Sequence, residues 1–211
     1  MNKIFLDIET TGLNPLKGDK IIEISCLKLI NFKKLYFHHY LNPEKKISIG
    51  AYNIHGIDDS FLKNKKKFKD ILFQFLNFIK NSKIIIHNAK FDLTFINSEL
   101  NYLNFKNLNN YCYKIIDTLK ISRNFYKKKN SLENICKRFN IDYSKRIKHS
   151  AFIDSYLLYK IYFKLILKIK KIKIINLKFK NKEKYFSNSN NVFKKSNKKE
   201  SKLNNFFLKI I

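Results

Sequence analysis

The sequence has no tryptophan, four glycines, two prolines and one methionine in 211 residues, and only three of its 44 basic residues are arginine (Arg123, Arg138 and Arg146). Alanine is also rare, at Ala51, Ala89 and Ala151. Gly, Pro, Ala and Trp have codons rich in G and C, whereas the abundant Lys, Asn, Ile, Phe and Tyr have codons rich in A and T. Drift in an AT-biased genome produces this pattern. The formal net charge of +28 therefore permits a phosphate-bearing partner but does not by itself establish one. Cysteine is nearly missing too. Cys26, Cys112 and Cys136 share no short spacing and are odd in number, which argues against a disulfide framework or a zinc site and fits small buried hydrophobes in a reducing compartment. No run reaches the ~18 uncharged apolar residues that a membrane span needs. Asp7 and Glu9 break the early apolar run, so the N-terminus does not read as a signal peptide. The expectation is a cytoplasmic chain with no membrane partner.

What is present suffices for a sizeable core: 45% hydrophobic residues, with 20 Phe among them. The runs Lys3–Glu9, Lys20–Leu29 and Lys34–Leu41 are β-rich and suggest an antiparallel meander. Between Phe68 and Ile79 apolar residues recur at the three/four spacing of an amphipathic helix. Lys83–His87 reads as a strand buried on both faces, and a helical pattern carrying Phe91, Phe95, Ile96 and Leu100 follows it. Beyond Asp117 a short helix is expected. Ser131 is a candidate N-cap for a helix burying Leu132, Ile135, Cys136 and Phe139, and a further helix should run from Ala151 to about Ile169. Strands first, then strand and helix alternating, predict an α/β fold around a mixed sheet. Residues 1–170 form the expected domain. Residues 171–211 are a basic, polar tail that ends in the apolar cluster Phe206–Ile211.

Three segments carry candidate chemistry. Asp7 and Glu9, two apart on a strand, project to the same face, and a divalent cation would relieve their mutual repulsion. Asp92, in His87-Asn88-Ala89-Lys90-Phe91-Asp92, falls at the start of a helix, where an acid is also favoured by the helix dipole alone. His149 and Asp154 are five residues apart, about 140° around a helix. They converge only if His149 lies in the loop before the helix and Asp154 in its first turns.

Together, FLDIETTGL at 5–13, HNAKFD at 87–92 and HSAFID at 149–154 resemble the three exonuclease motifs of the DEDD superfamily, in its histidine-bearing branch. The segments IHGI at 54–57, Asp117-Thr118-Leu119 and 130–155 extend the resemblance to the epsilon proofreading subunits of bacterial DNA polymerase III, over roughly residues 2–168. The resemblance implies a ribonuclease H-like exonuclease fold with a mixed five-stranded sheet. It implies two divalent cations, Mg²⁺ or Mn²⁺, on Asp7, Glu9 and Asp154, with Asp92 completing the acidic set and His149 as general base. It also implies a terminal nucleotide held by Asp7, Glu9, Thr10, Thr11, Leu13, His55 and Asp154. A Glu that the family places ahead of the HGI segment is replaced here near Gly50. The implied activity is 3′→5′ removal of mispaired nucleotides from a DNA 3′ end. The implied partners are the polymerase catalytic (alpha) subunit and a small theta-like subunit. Two alternatives stay open: an oligoribonuclease or RNA-trimming enzyme of the same superfamily, and a non-catalytic adaptor of the polymerase core.

Overall fold

The computed structural model describes residues 1–31 and 33–187. The central strand β1 (Lys3–Thr10) pairs antiparallel with β2 (Ile21–Ile30), and β2 pairs antiparallel with β3 (Lys33–Tyr40). On its other side β1 runs parallel to β4 (Lys83–Ile86), which runs parallel to β5 (Lys114–Asp117). The sheet order is β3-β2-β1-β4-β5. The α-helices are α1 (Ile49–His55), α2 (Asp59–Leu62), α3 (Phe68–Ile79), α4 (Ala89–Tyr102), α5 (Thr118–Arg123), α6 (Leu132–Arg138) and α7 (Ala151–Ser187). Parallel strands need crossovers, and α1–α3 ahead of β4 and α4 between β4 and β5 supply them. Two compact units divide the chain, Met1–Ile161 and a second from Tyr162 onward.

Strand parity decides what the sheet presents on each face. Ile4, Leu6 and Ile8 of β1 join Ile71, Phe75 and Ile79 of α3 and Phe95, Ile96 and Leu100 of α4 in one buried cluster. The alternate residue Phe5 meets Tyr159 of α7 edge-on, ring centres 5.5 Å apart. Asp7 and Glu9 share the parity of Phe5, so they project on the face where α7 begins. Truncating a fully buried ring such as Phe75 to alanine would cost about 3–5 kcal/mol.

The scarcity of glycine leaves a mark on the backbone. Five asparagines (Asn31, Asn81, Asn88, Asn104 and Asn140) hold positive φ, the conformation glycine usually supplies. The structure differs from the sequence reading in two places. Helices α1 and α2 occupy a segment where no helix was expected. The last helix continues past Ile169 to Ser187, consistent with a stretch from Ala151 that holds neither glycine nor proline. Residues 188–211, with the apolar end Phe206–Ile211, lie outside the described residues.

One buried carboxylate fixes where α7 starts. Glu23 of β2 accepts hydrogen bonds from Ala151 N–H (3.0 Å), Phe152 N–H (3.3 Å) and Ser150 Oγ (3.1 Å), and it meets His38 Nε2 at 2.8 Å. It thereby satisfies the free amides of the helix N-terminus and complements its dipole. Ser25 Oγ and Ser155 Oγ, 2.9 Å apart, add a second link between β2 and α7. Replacing Glu23 by alanine leaves those donors buried without a partner. We expect Glu23→Ala to lose about 3 kcal/mol and Glu23→Gln about half of that, read as a lowered urea midpoint at unchanged m-value. A midpoint equal to wild type in Glu23→Ala would show that the carboxylate does not clamp the helix.

Candidate active site

β1, β4 and β5 run parallel, and the connection changes direction beside β1. A crevice opens beyond their carboxyl ends, where open α/β sheets characteristically place ligands. The cleft there has a volume of about 780 Å³. Asp7, Glu9, Asp92, His149 and Asp154 all line it, together with Thr10, Leu13 and His55.

Each side chain arrives by a local device. The β1–β2 register shifts between Glu9 and Thr10, and such an irregularity re-aims the strand end that carries Glu9. Gly12 follows in the turn. A Cβ there would lie 2.4 Å from Asp19 Oδ2, so a larger residue would have to displace the Asp19 carboxylate from its bonds to Asn14 N–H and Lys45 Nζ. From the opposite face, α4 starts after Asn88, itself left-handed (φ 69°), and brings Asp92 into its first turn. Asp92 is buried there, in the wall of the cleft. His149 lies in the loop ahead of α7 and Asp154 in its first turn, the arrangement under which the two converge. Their closest atoms, His149 Nδ1 and Asp154 Oδ2, are 3.8 Å apart. Helix α1 closes the side of the cleft through three bonds: Ser48 N–H to Thr11 O (2.9 Å), His149 N–H to Ile54 O (3.2 Å) and Lys148 Nζ to Asn53 O (3.0 Å).

The electrostatics are those of crowded acids. Burial, then Asp154, Asp92 and Glu9, push the Asp7 carboxyl well above the carboxylate range. Burial, then Asp154 and Glu23, push Glu9 up to about 8, against the lowering effect of Arg146. Asp92 is raised mainly by burial, its backbone hydrogen bonds opposing this in part. His149 is lowered by burial and by the Arg146 charge, so it is neutral near pH 7. His55 Nδ1 accepts from Ile57 N–H at 3.0 Å, which leaves Nε2 buried in the cleft wall with no hydrogen-bond partner among the described residues.

These features bear on whether the residues suit divalent cations. Glu9, His149 and Asp154 each offer one ligand atom within 4.8 Å of the others, and Asp7 stands in the same field. Among the described residues, no protein donor is hydrogen-bonded to the carboxylate of Asp7 or Glu9. Hard oxygen atoms without protein donors, repelling one another at the end of a strand, fit a divalent cation.

Not every residue expected at the site reaches the cleft. Thr11 is fully buried and does not line it. Its hydroxyl accepts from Lys20 N–H (3.0 Å) and lies 3.3 Å from Asp19, so it holds the turn together. Thr10 does line the cleft, and its hydroxyl donates to Gly12 O at 2.6 Å. Gly50 stands on the rim with open space around it. Sequence reasoning missed Glu23 and Arg146. Glu23 is one acid in a plain β-run, and Arg146 sits in a basic stretch that reads as a solvated loop. For Arg146 the available signal was chemical: it is one of only three arginines in a chain that otherwise uses lysine.

The chain matches the exonuclease family (RNase_T) over residues 4–162. It is 48% identical to the DNA polymerase III subunit epsilon of Buchnera aphidicola subsp. Baizongia pistaciae over 76% of this chain and 69% of the relative. It is 41% identical to the corresponding subunit of Buchnera aphidicola subsp. Schizaphis graminum, over 99% of this chain and 96% of the relative. Among solved structures, the nuclease domain of 3′hExo, a DEDDh family member, bound to rAMP aligns with a TM-score of 0.66 at 20% identity, over 79% of this chain and 92% of that one. Exonuclease X in complex with 5′ overhanging duplex DNA aligns at 0.62 and 21% identity, with the same two coverages. The fold is thus the ribonuclease H-like fold of the DEDDh exonucleases. The chain belongs to the DNA polymerase III epsilon subunit family of 3′→5′ exonucleases.

Proposed function

We propose that this exonuclease removes mispaired nucleotides from a DNA 3′ end as the proofreading subunit of a bacterial DNA polymerase III. It would release nucleoside 5′-monophosphates by two-metal hydrolysis. The observation that carries the reading is the meeting of Asp7, Glu9, Asp92, Asp154 and His149 in one cleft at the end of the sheet. In this reading Asp7, Glu9 and Asp154 would hold two divalent ions, Mg²⁺ or Mn²⁺, with Asp92 completing the acidic set. Bound cations supply positive charge for the scissile phosphate and make a water nucleophilic at neutral pH.

The chain's own residues do the rest. His149 is the general base, neutral near pH 7 and able to take a proton from the attacking water. His55 contacts the terminal nucleotide, and Thr10, Thr11 and Leu13, the last 80% exposed on the rim, form its pocket, Thr11 by holding the turn together. A mispaired end frays at lower cost than a paired one, so selectivity comes from the DNA rather than from contacts that read base edges. The catalytic domain is residues 1–170. The segment 171–211 is the polymerase-binding tail that engages the catalytic (alpha) subunit, and a theta-like subunit is a further partner of the core. The epsilon relatives, at 41–48% identity, favour DNA over oligoribonucleotides as substrate.

Digestion of a 3′-mismatched primer-template should need Mg²⁺ and should exceed digestion of short oligoribonucleotides. His149→Ala should lower kcat by about 10²–10⁴ with little change in KM. A wild type with no Mg²⁺-dependent release would leave the adaptor reading in its place.

Because Glu9 is raised in the folded state, the native chain binds more protons than the unfolded chain between about pH 4.5 and 8, and stability falls as pH rises through that window. Asp7 and Asp92 act in the same direction. The metal-free Tm should therefore drop from pH 5.5 to 8, and the Tm gain on adding Mn²⁺ should be larger at pH 8, where the ligands are deprotonated. A metal-free Tm that rises over this range would contradict the assignment of crowded, protonated acids.

A further inference from the structure

Arg146 lies in the loop that leads into α7, within Lys145–Lys148. The lysines of that stretch are exposed, but the Arg146 side chain turns inward and is only 9% exposed. The loop is wound to permit this, with Ser144 N–H donating to Asp142 Oδ1 and Arg146 N–H to Tyr143 O, both at 2.9 Å. Arg146 Nε donates to Asp154 Oδ1 at 2.5 Å and Nη2 to Asp154 Oδ2 at 2.7 Å. The same Nη2 stands 2.9 Å from His149 Nδ1.

A guanidinium has no acceptor, so His149 Nδ1 must receive this bond, and the neutral imidazole's one free lone pair is spent on it. Each oxygen of Asp154 likewise accepts one bond from a planar fork, a geometry that lysine cannot reproduce and that sets a positive charge against the carboxylate. Arg146 thus occupies two groups that the proposed reaction needs free: a metal ligand and a base. Its charge also reaches Asp7 and Glu9. A divalent ion arriving at Asp154 would meet the guanidinium at short range in a partly buried site, where like charges repel strongly.

We propose that Arg146 is a built-in counter-cation. It holds the metal-free site together and is exchanged for a divalent ion on loading, so that metal arrival at Asp154 and release of the His149 lone pair are one event. The inference rests on the metal-dependent reading of the cleft, but its test does not use nuclease activity.

The full chain, dialysed against EDTA, would be titrated with Mg²⁺ and Mn²⁺ by calorimetry while ¹⁵N NMR follows His149 Nδ1. In wild type the Nδ1 resonance should shift on Mg²⁺ addition as the Arg146 bond is lost. In Arg146→Gln the metal-free Tm should fall, the metal-free Nδ1 resonance should already be displaced, and the Mn²⁺ Kd should tighten about tenfold, the scale of one charge-assisted hydrogen bond. Arg146→Lys keeps the charge without the fork and should fall between the two. It decides the matter if Arg146→Gln does not fold, since a tighter Kd supports exchange and an unchanged one overturns it. An unchanged or weaker Kd in Arg146→Gln, with an Nδ1 resonance in wild type that Mg²⁺ does not move, would show that Arg146 stays on Asp154 in the loaded site and that exchange does not occur. A wild type that binds neither ion would overturn the metal reading of the cleft and the exchange with it.

Discussion

The site depends on forcing carboxylates together where water is scarce. Asp7, Glu9, Asp92 and Asp154 come from three segments far apart in the chain, and each raises the cost of ionising its neighbours. A fold tolerates such a cluster only if its framework is stable enough to absorb the repulsion. Here the framework is the central strand. β1 is buried along most of its length, paired with β4 over Lys3–Phe5 and with β2 through to Thr10, so the β2 ladder holds its carboxyl end in place against the repulsion. The large core under α3 and α4 thus opposes repulsion at the cleft.

Much of this geometry could be read from the order of residues. The two-residue spacing of Asp7 and Glu9 places both on one face once β1 is a strand. The five-residue spacing of His149 and Asp154 requires a loop followed by a helix, and α7 begins at Ala151, between them. Helix α3 spans the residues that its apolar period marks, because nothing but burial determines that period. The features that escaped share a different cause. Glu23, Arg146 and Thr11 owe their roles to partners 127, 8 and 8 residues away, by way of Ser150, Asp154 and Asp19 respectively. A lone polar residue in a strand or loop carries no local mark of a distant partner. Helix α1 has a weak apolar face, with only His55 buried, and is held instead by bonds to the turn after β1 and to the loop before α7.

Composition bears on the same question. Where a left-handed backbone is needed and glycine is scarce, asparagine fills the place, since its short polar side chain tolerates that conformation. Where positive charge only has to face solvent, lysine fills it. Two of the three arginines stand where a point charge would not serve. Arg138 donates from Nη1 and Nη2 to Lys129 O (2.7 Å) and Lys128 O (2.9 Å) and covers the ring of Tyr126. Arg146 forks onto Asp154. Charge alone says little about function in this chain, whereas the places that keep a guanidinium mark where geometry matters.

The acids near α7 divide by the donors they meet. Glu23 has the helix amides, a serine hydroxyl and a histidine, so protein groups fill its lone pairs and it acts as a structural clamp. Asp7 and Glu9 meet no such donors among the described residues and open onto the cleft. Asp154 lies between these cases, bonded by a cation that can be replaced by another. One chemical group therefore stands in three settings near one helix start: Glu23 holds the helix, Asp7 and Glu9 open onto the cleft without such donors among the described residues, and Asp154 is paired with Arg146. The ordering follows from donor supply, because a carboxylate saturated by backbone amides has no lone pair left for a metal, while one left bare must gain a proton or a cation to stay buried.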